Sequence, residues 1–183
     1  NGPLGITDRA AVERVMREVK PDVRIHCAAW TAVEAAEDAD KRELVQKING
    51  LGTEYLAAAC REIDAKMMYI STDYVFSGQG TAPWEPDCRD FDPQNGYGMT
   101  KLYGEGAVRQ QLHKYFIVRI AWVFGVNGNN FIKTMLRVGA THPELRVVDD
   151  QIGTPTYTLD LAVLLADMVE TEKYGTYHAT NEG

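Results

Sequence analysis

Met67-Met68-Tyr69-Ile70-Ser71-Thr72-Asp73 is a short apolar run that ends abruptly in two hydroxyls and an acid. An apolar run without polar alternation reads as a strand covered on both faces, the pattern of a parallel sheet. Upstream, Val23 to Ala29 is a second such run, separated by Pro21-Asp22 from a helix with Thr7 as cap and Val12, Val15, Met16 and Val19 at helical spacing. Between the two strands, about Asp40 to Glu62 carries Leu44, Ile48, Leu51, Tyr55 and Leu56 on one side and is expected to be helical. Downstream, residues 77 to 96 hold Pro83, Pro86 and Pro93 among turn-forming residues, a long loop of the kind that carries function. A helix is expected from near Tyr97 to about Leu112, a strand over Tyr115 to Ala121 and a helix over Asn130 to Ala140. A strand over Leu145 to Val148, a helix over Leu159 to Thr171 capped by Thr158, and a strand over Thr176 to Ala179 complete the pattern. Alternating strands and helices predict an α/β fold, a parallel sheet with helices on both faces. Ligands in such folds lie beyond the carboxyl ends of the strands. Chemistry is therefore sought at Ala28 to Glu34, Ser71 to Phe76 and Trp122 to Phe124.

The 183 residues are 45% hydrophobic and 25% charged, which suits one domain with a core and excludes collagen-like, coiled-coil and low-complexity chains. A net charge of −7 with no basic run argues against nonspecific nucleic-acid binding. No apolar stretch approaches the roughly 20 residues that span a bilayer, and no signal peptide is visible at the start. Cys27, Cys60 and Cys88 are odd in number and widely spaced, so free thiols in a reducing cytoplasm are expected. Asn1-Gly2-Pro3-Leu4-Gly5 reads as loop, and Thr180-Asn181-Glu182-Gly183 follows a strand directly. Both ends are expected to be cuts through a larger domain.

The sharpest chemical pattern joins Thr72 at a strand end to Tyr97 and Lys101, which share one face of a helix start. A free tyrosine titrates near 10. A nearby ammonium favours the phenolate, and a threonine hydroxyl can bind a substrate carbonyl or the alkoxide formed from it. The set suits reduction of a ketone, with Tyr97 delivering the proton. A Tyr four residues before a Lys is also common on solvated helix faces; the strand-end Ser-Thr pair favours catalysis. His26 reads as a strand residue with a satisfied ring. His113, His142 and His178 lack metal-ligand spacing, so no metal is expected. The acidic group Glu34, Glu37, Asp38 and Asp40 reads as a solvated face, and Gly125 to Asn130 as a plain turn.

Nearly the whole chain resembles the dTDP-4-dehydrorhamnose reductase family of the extended short-chain dehydrogenase/reductase superfamily. The resemblance rests on His26-Cys27-Ala28-Ala29-Trp30-Thr31-Ala32-Val33, Ser71-Thr72-Asp73-Tyr74-Val75-Phe76, Tyr97-Gly98-Met99-Thr100-Lys101, Trp122-Val123-Phe124-Gly125, Asn129 to Met135 and Asp150 to Thr156. It implies a Rossmann-like parallel sheet lacking its N-terminal Gly-rich βαβ start, in a partial NAD(P)-binding domain over 1–183 with substrate-binding elements in its C-terminal part. It implies NADPH-dependent (sometimes NADH-dependent) reduction of dTDP-4-dehydro-L-rhamnose by a cytoplasmic enzyme, with no nucleic-acid or membrane partner; a homodimer is compatible with it. Residue by residue, Thr72, Tyr97 and Lys101 match the catalytic set, and Lys101 would also hold the nicotinamide ribose. Ala28, Ala29 and Thr31 match the segment lining the cofactor; Val33, Asp73, Tyr74 and Trp122 match positions near the sugar. Asn49 matches the superfamily's active-site Asn or is an ordinary helix residue. Departures from the pattern are Gly5 where an acid is common, Glu34 in place of Asp, and Asn95-Gly96 before the tyrosine. Two other readings remain: an epimerase or dehydratase of the superfamily, although dehydratases use an acid pair where this chain has Asp73-Tyr74, and a noncatalytic regulatory subunit like the methionine adenosyltransferase β subunit.

Overall fold

A computed structural model describes residues 5–182; the loop expected over Asn1 to Leu4, and Gly183, lie outside the described residues. The main sheet has four parallel strands in the order β1 (Val23–His26), β2 (Lys66–Thr72), β3 (Tyr115–Ile120), β6 (Gly175–His178). Side chains of a strand alternate between faces, and both faces are covered. On one, Met67, Tyr69 and Ile117 meet Val12 and Met16 of α1 (Arg9–Val19), Leu56 and Cys60 of α3 (Gly52–Glu62), and Val108 of α4 (Gly96–Gln111). On the other, Met68, Phe116 and Val118 meet Leu165 and, at its margin, Leu161 and Met168 of α6 (Thr158–Val169). Each large side chain buried there contributes about 1.5–3 kcal/mol relative to exposure. The expected parallel sheet with helices on both faces is what forms.

Several local expectations change. Asp8, not Thr7, caps α1, its carboxylate accepting from Ala11 N. The first strand stops at His26 instead of Ala29, because Trp30 N and O pair with the side-chain amide of Asn49 rather than with a neighbouring strand. The long second helix is broken into α2 (Arg42–Val45), a π turn over Gln46–Leu51, and α3. Leu145 to Val148 is irregular and exposed; the extra pairing forms instead between β4 (Val123–Phe124) and β5 (Thr156–Tyr157). Thr158 opens α6 without capping it. Tyr157 N donates to Asn181 Oδ1, and Asn181 Nδ2 donates to Asp160 in the first turn, so a residue 24 positions away closes that end. The helix expected over Asn130 to Ala140 is α5 (Phe131–Gly139), with Asn130 as its cap.

Candidate active site

The carboxyl end of β2 and the first turns of α4 form the site. Asn95 caps α4 by accepting from Gly98 N at 2.7 Å, and Gly96 N donates to Glu37 Oε1 at 2.6 Å. Asn95-Gly96 is thus the device that starts the helix. Glu37, expected on a solvated face, is a carboxylate at a helix N-terminus, where the macrodipole favours it. Two glycines let α4 approach β2 closely: a Cβ on Gly98 would collide with the Tyr74 carbonyl, and one on Gly104 with the Tyr69 hydroxyl.

That approach seats Tyr97, Lys101 and Glu105, at successive i, i+4 positions of α4, against the end of β2. Tyr97, half-buried, meets Tyr74 edge-on with ring centres 6.0 Å apart. Thr72, at the strand end, is buried; its hydroxyl donates to Asp73 Oδ1 at 3.0 Å and accepts from Tyr74 N at 3.2 Å. Lys101 is 3% exposed; its Nζ donates to Ile70 O at 2.6 Å and lies 4.1 Å from the centre of the Tyr69 ring. The expectation that Lys101 lowers the Tyr97 pKa is corrected here. Burial pushes the phenol up to about 12, opposed by its hydrogen bonding with Thr72. Burial also pulls Lys101 down to about 7, against the charges of Glu105 and Cys27. Desolvation of the charged forms is the larger influence on both groups.

Asn49 is 1% exposed in the π turn, its amide shared between the Trp30 backbone and Thr100 Oγ1 at 3.1 Å. Single π turns inside helices recur at functional sites, and this one fixes the segment after β1. Ala28 and Thr31 are exposed and Ala29 is half-buried on that segment, at the same sheet edge as Thr72. Val33 begins the 3-10 turn Glu34–Glu37, and Asp73 and Tyr74 lie in the 3-10 turn that follows β2. Trp122 stands apart after β3, half-exposed at a left-handed φ of 45°, with its indole against Gly153. No ring contact among the described residues joins it to Tyr74 or Tyr97. His26 is only half satisfied. Thr53 Oγ1 donates to Asn49 O and so accepts from His26 Nε2, while Nδ1 has no partner and burial holds the ring down at about 3. Sequence reasoning missed Glu105 and Arg119, whose signals were a third position in the Tyr97/Lys101 series and a charge inside an apolar strand.

A family model described as the RmlD substrate binding domain matches residues 2–183. A dTDP-4-dehydrorhamnose reductase of Streptomyces griseus is 45% identical over 100% of this chain and 61% of its own length. The spore coat polysaccharide biosynthesis protein SpsK of Bacillus subtilis is 41% identical over 98% of this chain and 62% of its own. The crystal structure of a dTDP-4-dehydrorhamnose reductase from Bacillus anthracis in complex with NADP superposes with a TM-score of 0.92 at 44% identity, covering 98% of this chain and 63% of that one. The chain therefore spans about six-tenths of the length of these relatives.

Proposed function

The chain belongs to the RmlD substrate binding domain family, and we propose that the whole protein is a cytoplasmic NADPH-dependent 4-ketoreductase that converts dTDP-4-dehydro-L-rhamnose to dTDP-L-rhamnose. The observation that carries this reading is the meeting of Tyr97, Thr72 and Lys101 where α4 closes on the end of β2. The residues present fit the cofactor: the Lys101 ammonium has three donors, and Ile70 O is its one hydrogen-bond acceptor among the described residues. Two donors remain for ribose hydroxyls, beside the segment of Ala28, Ala29 and Thr31. When bound, the reduced nicotinamide supplies a hydride to the ketone carbon.

The chain's own groups do the rest. Tyr97, held protonated by burial, donates its phenolic proton to the carbonyl oxygen as charge develops there. Thr72, its single hydroxyl proton turned from Asp73 Oδ1 to the substrate, stabilises that oxygen with a hydrogen bond. Lys101, one helical turn away, would hold the ribose and so orient the cofactor beside Tyr97. Asp73, Tyr74, Val33 and Trp122 are proposed to line the sugar side. The three cysteines, all unpaired thiols, suit the cytoplasm. Among the described residues no helix is long and apolar enough to cross a membrane.

The test is NADPH oxidation by the whole protein with and without dTDP-4-dehydro-L-rhamnose. Oxidation that depends on the sugar nucleotide is expected. Tyr97→Phe lowers kcat by about 10²–10⁴ and leaves the NADPH Kd within about twofold. Near-normal turnover in that variant removes Tyr97 as the acid.

A further inference from the structure

Two buried charges take no part in the steps above. Glu105, on α4, is fully buried, and Arg119, within apolar β3, is 2% exposed. Glu105 Oε1 accepts from Ser71 Oγ at 2.7 Å and Arg119 Nε at 2.8 Å; Oε2 accepts from Arg119 Nη2 at 2.8 Å and Arg109 Nη2 at 2.6 Å. Arg119 Nη1 also donates to His178 Nε2 at 3.2 Å and to Pro86 O at 3.4 Å, and the guanidinium packs over Phe76 and Phe91. Burial disfavours the Glu105 anion, but the hydrogen bonds and charge of Arg119, with Ser71 and Arg109, hold its carboxyl below the ordinary range.

A buried pair of this kind is a weak source of stability, since well-packed apolar residues of similar volume often serve as well or better. What a bidentate guanidinium provides is orientation. Held by Arg119, the carboxylate keeps an oxygen aimed at Ser71. Ser71 lies between Ile70, whose carbonyl takes the Lys101 ammonium, and Thr72, whose hydroxyl serves Tyr97. A helix tied to a strand at one point can still turn or slide. Tied at Lys101 and again four residues on, it can do neither.

We propose that Glu105, oriented by Arg119, is a positioning residue for this site: through Ser71 it locks the end of β2 to α4, setting Thr72 and the Ile70 carbonyl against Tyr97 and Lys101. The inference rests on the ketoreductase reading. Displacements near 1 Å from such a lock cost up to about 10²-fold in rate.

In the whole protein, Ser71→Ala leaves Glu105 its three arginine hydrogen bonds. Its melting temperature is expected to stay within about 2 °C, and its NADPH Kd and sugar-nucleotide KM within about twofold. Its kcat falls by about tenfold or more. Ser71→Thr, which keeps the hydroxyl, restores kcat. Combining Ser71→Ala with Glu105→Leu and Arg119→Met replaces the ionic set by apolar groups; the protein folds, yet kcat stays low. The backbone amide resonances of Tyr97 and Lys101 shift in Ser71→Ala and return in Ser71→Thr, whether or not the sugar nucleotide is reduced. A Ser71→Ala variant with kcat within about twofold of the parent, a triple variant with full kcat, or unmoved Tyr97 and Lys101 resonances each overturns the proposal. An unsubstituted protein that reduces no dTDP-4-dehydro-sugar sinks the functional reading instead, and the resonances then still decide the lock.

Discussion

Lys101 of the candidate site is 3% exposed, and burying its ammonium costs the fold stability. Burial brings its pKa from 10.5 to about 7. Between those values the unfolded chain holds a proton that the folded chain lacks, so stability rises with pH across that window. Below about pH 7 both states are protonated, and the full cost of burying the ammonium stands. Lys101→Met is therefore expected to raise the melting temperature near pH 7 by about 3 °C or more, an advantage that shrinks as pH climbs toward 10.5. Thermal melts of both proteins across that range check it; a difference independent of pH would mean that Lys101 is not buried as a cation. That Lys101 shares a helix face with Tyr97 was legible from spacing, and that Thr72 ends a strand from the apolar run before it. The electrostatics of Lys101 were not, because desolvation depends on what the fold places around Nζ.

At the scale of elements, α4 is the piece whose placement matters most. Gly98 is buried beneath the Tyr74 carbonyl, a backbone atom that cannot turn aside. Alanine gains about 1 kcal/mol of helix propensity over glycine, yet here its methyl must displace α4 from β2. Gly98→Ala is expected to lower stability by about 1–3 kcal/mol, as overpacking does, and to lower kcat beyond any loss of folded protein. Denaturant melts and active-site-normalised kinetics measure the two effects; a more stable, fully active variant would refute the close-approach argument. The helix itself could be read from its apolar positions. Its start near Tyr97 was legible too, one residue from the observed Gly96; what holds that start was not, since Gly96 N finds Glu37, 59 residues earlier in the chain. The same holds for the π turn around Asn49, which interrupts a helix whose apolar periodicity looked continuous.

Across the whole molecule, apolar surface is unevenly covered. On α5, Phe131 and Leu136 are 63% and 71% exposed, and Ile132 is also exposed; Val163 and Leu159 are exposed on α6. Clusters of this kind drive association. The 183-residue chain on its own is therefore expected to self-associate at high concentration, and Leu136→Lys to reduce that association without lowering the melting temperature. Sedimentation velocity over a concentration series decides, and equal association by both chains would show that another surface is responsible. The sequence alone determined most of the strand and helix alternation, the parallel sheet, and the sheet edge beside which Thr72, Tyr97 and Lys101 lie. Those follow from local periodicity and from the rule that parallel strands place their carboxyl ends at one edge. Only the tertiary structure decided how the site is held: Glu105 on Ser71 and Arg119, Glu37 on Gly96, Asn181 at the start of α6, and a phenol raised rather than lowered in pKa. Each of these depends on groups distant in sequence meeting where water is excluded, and no local pattern records which distant groups will meet.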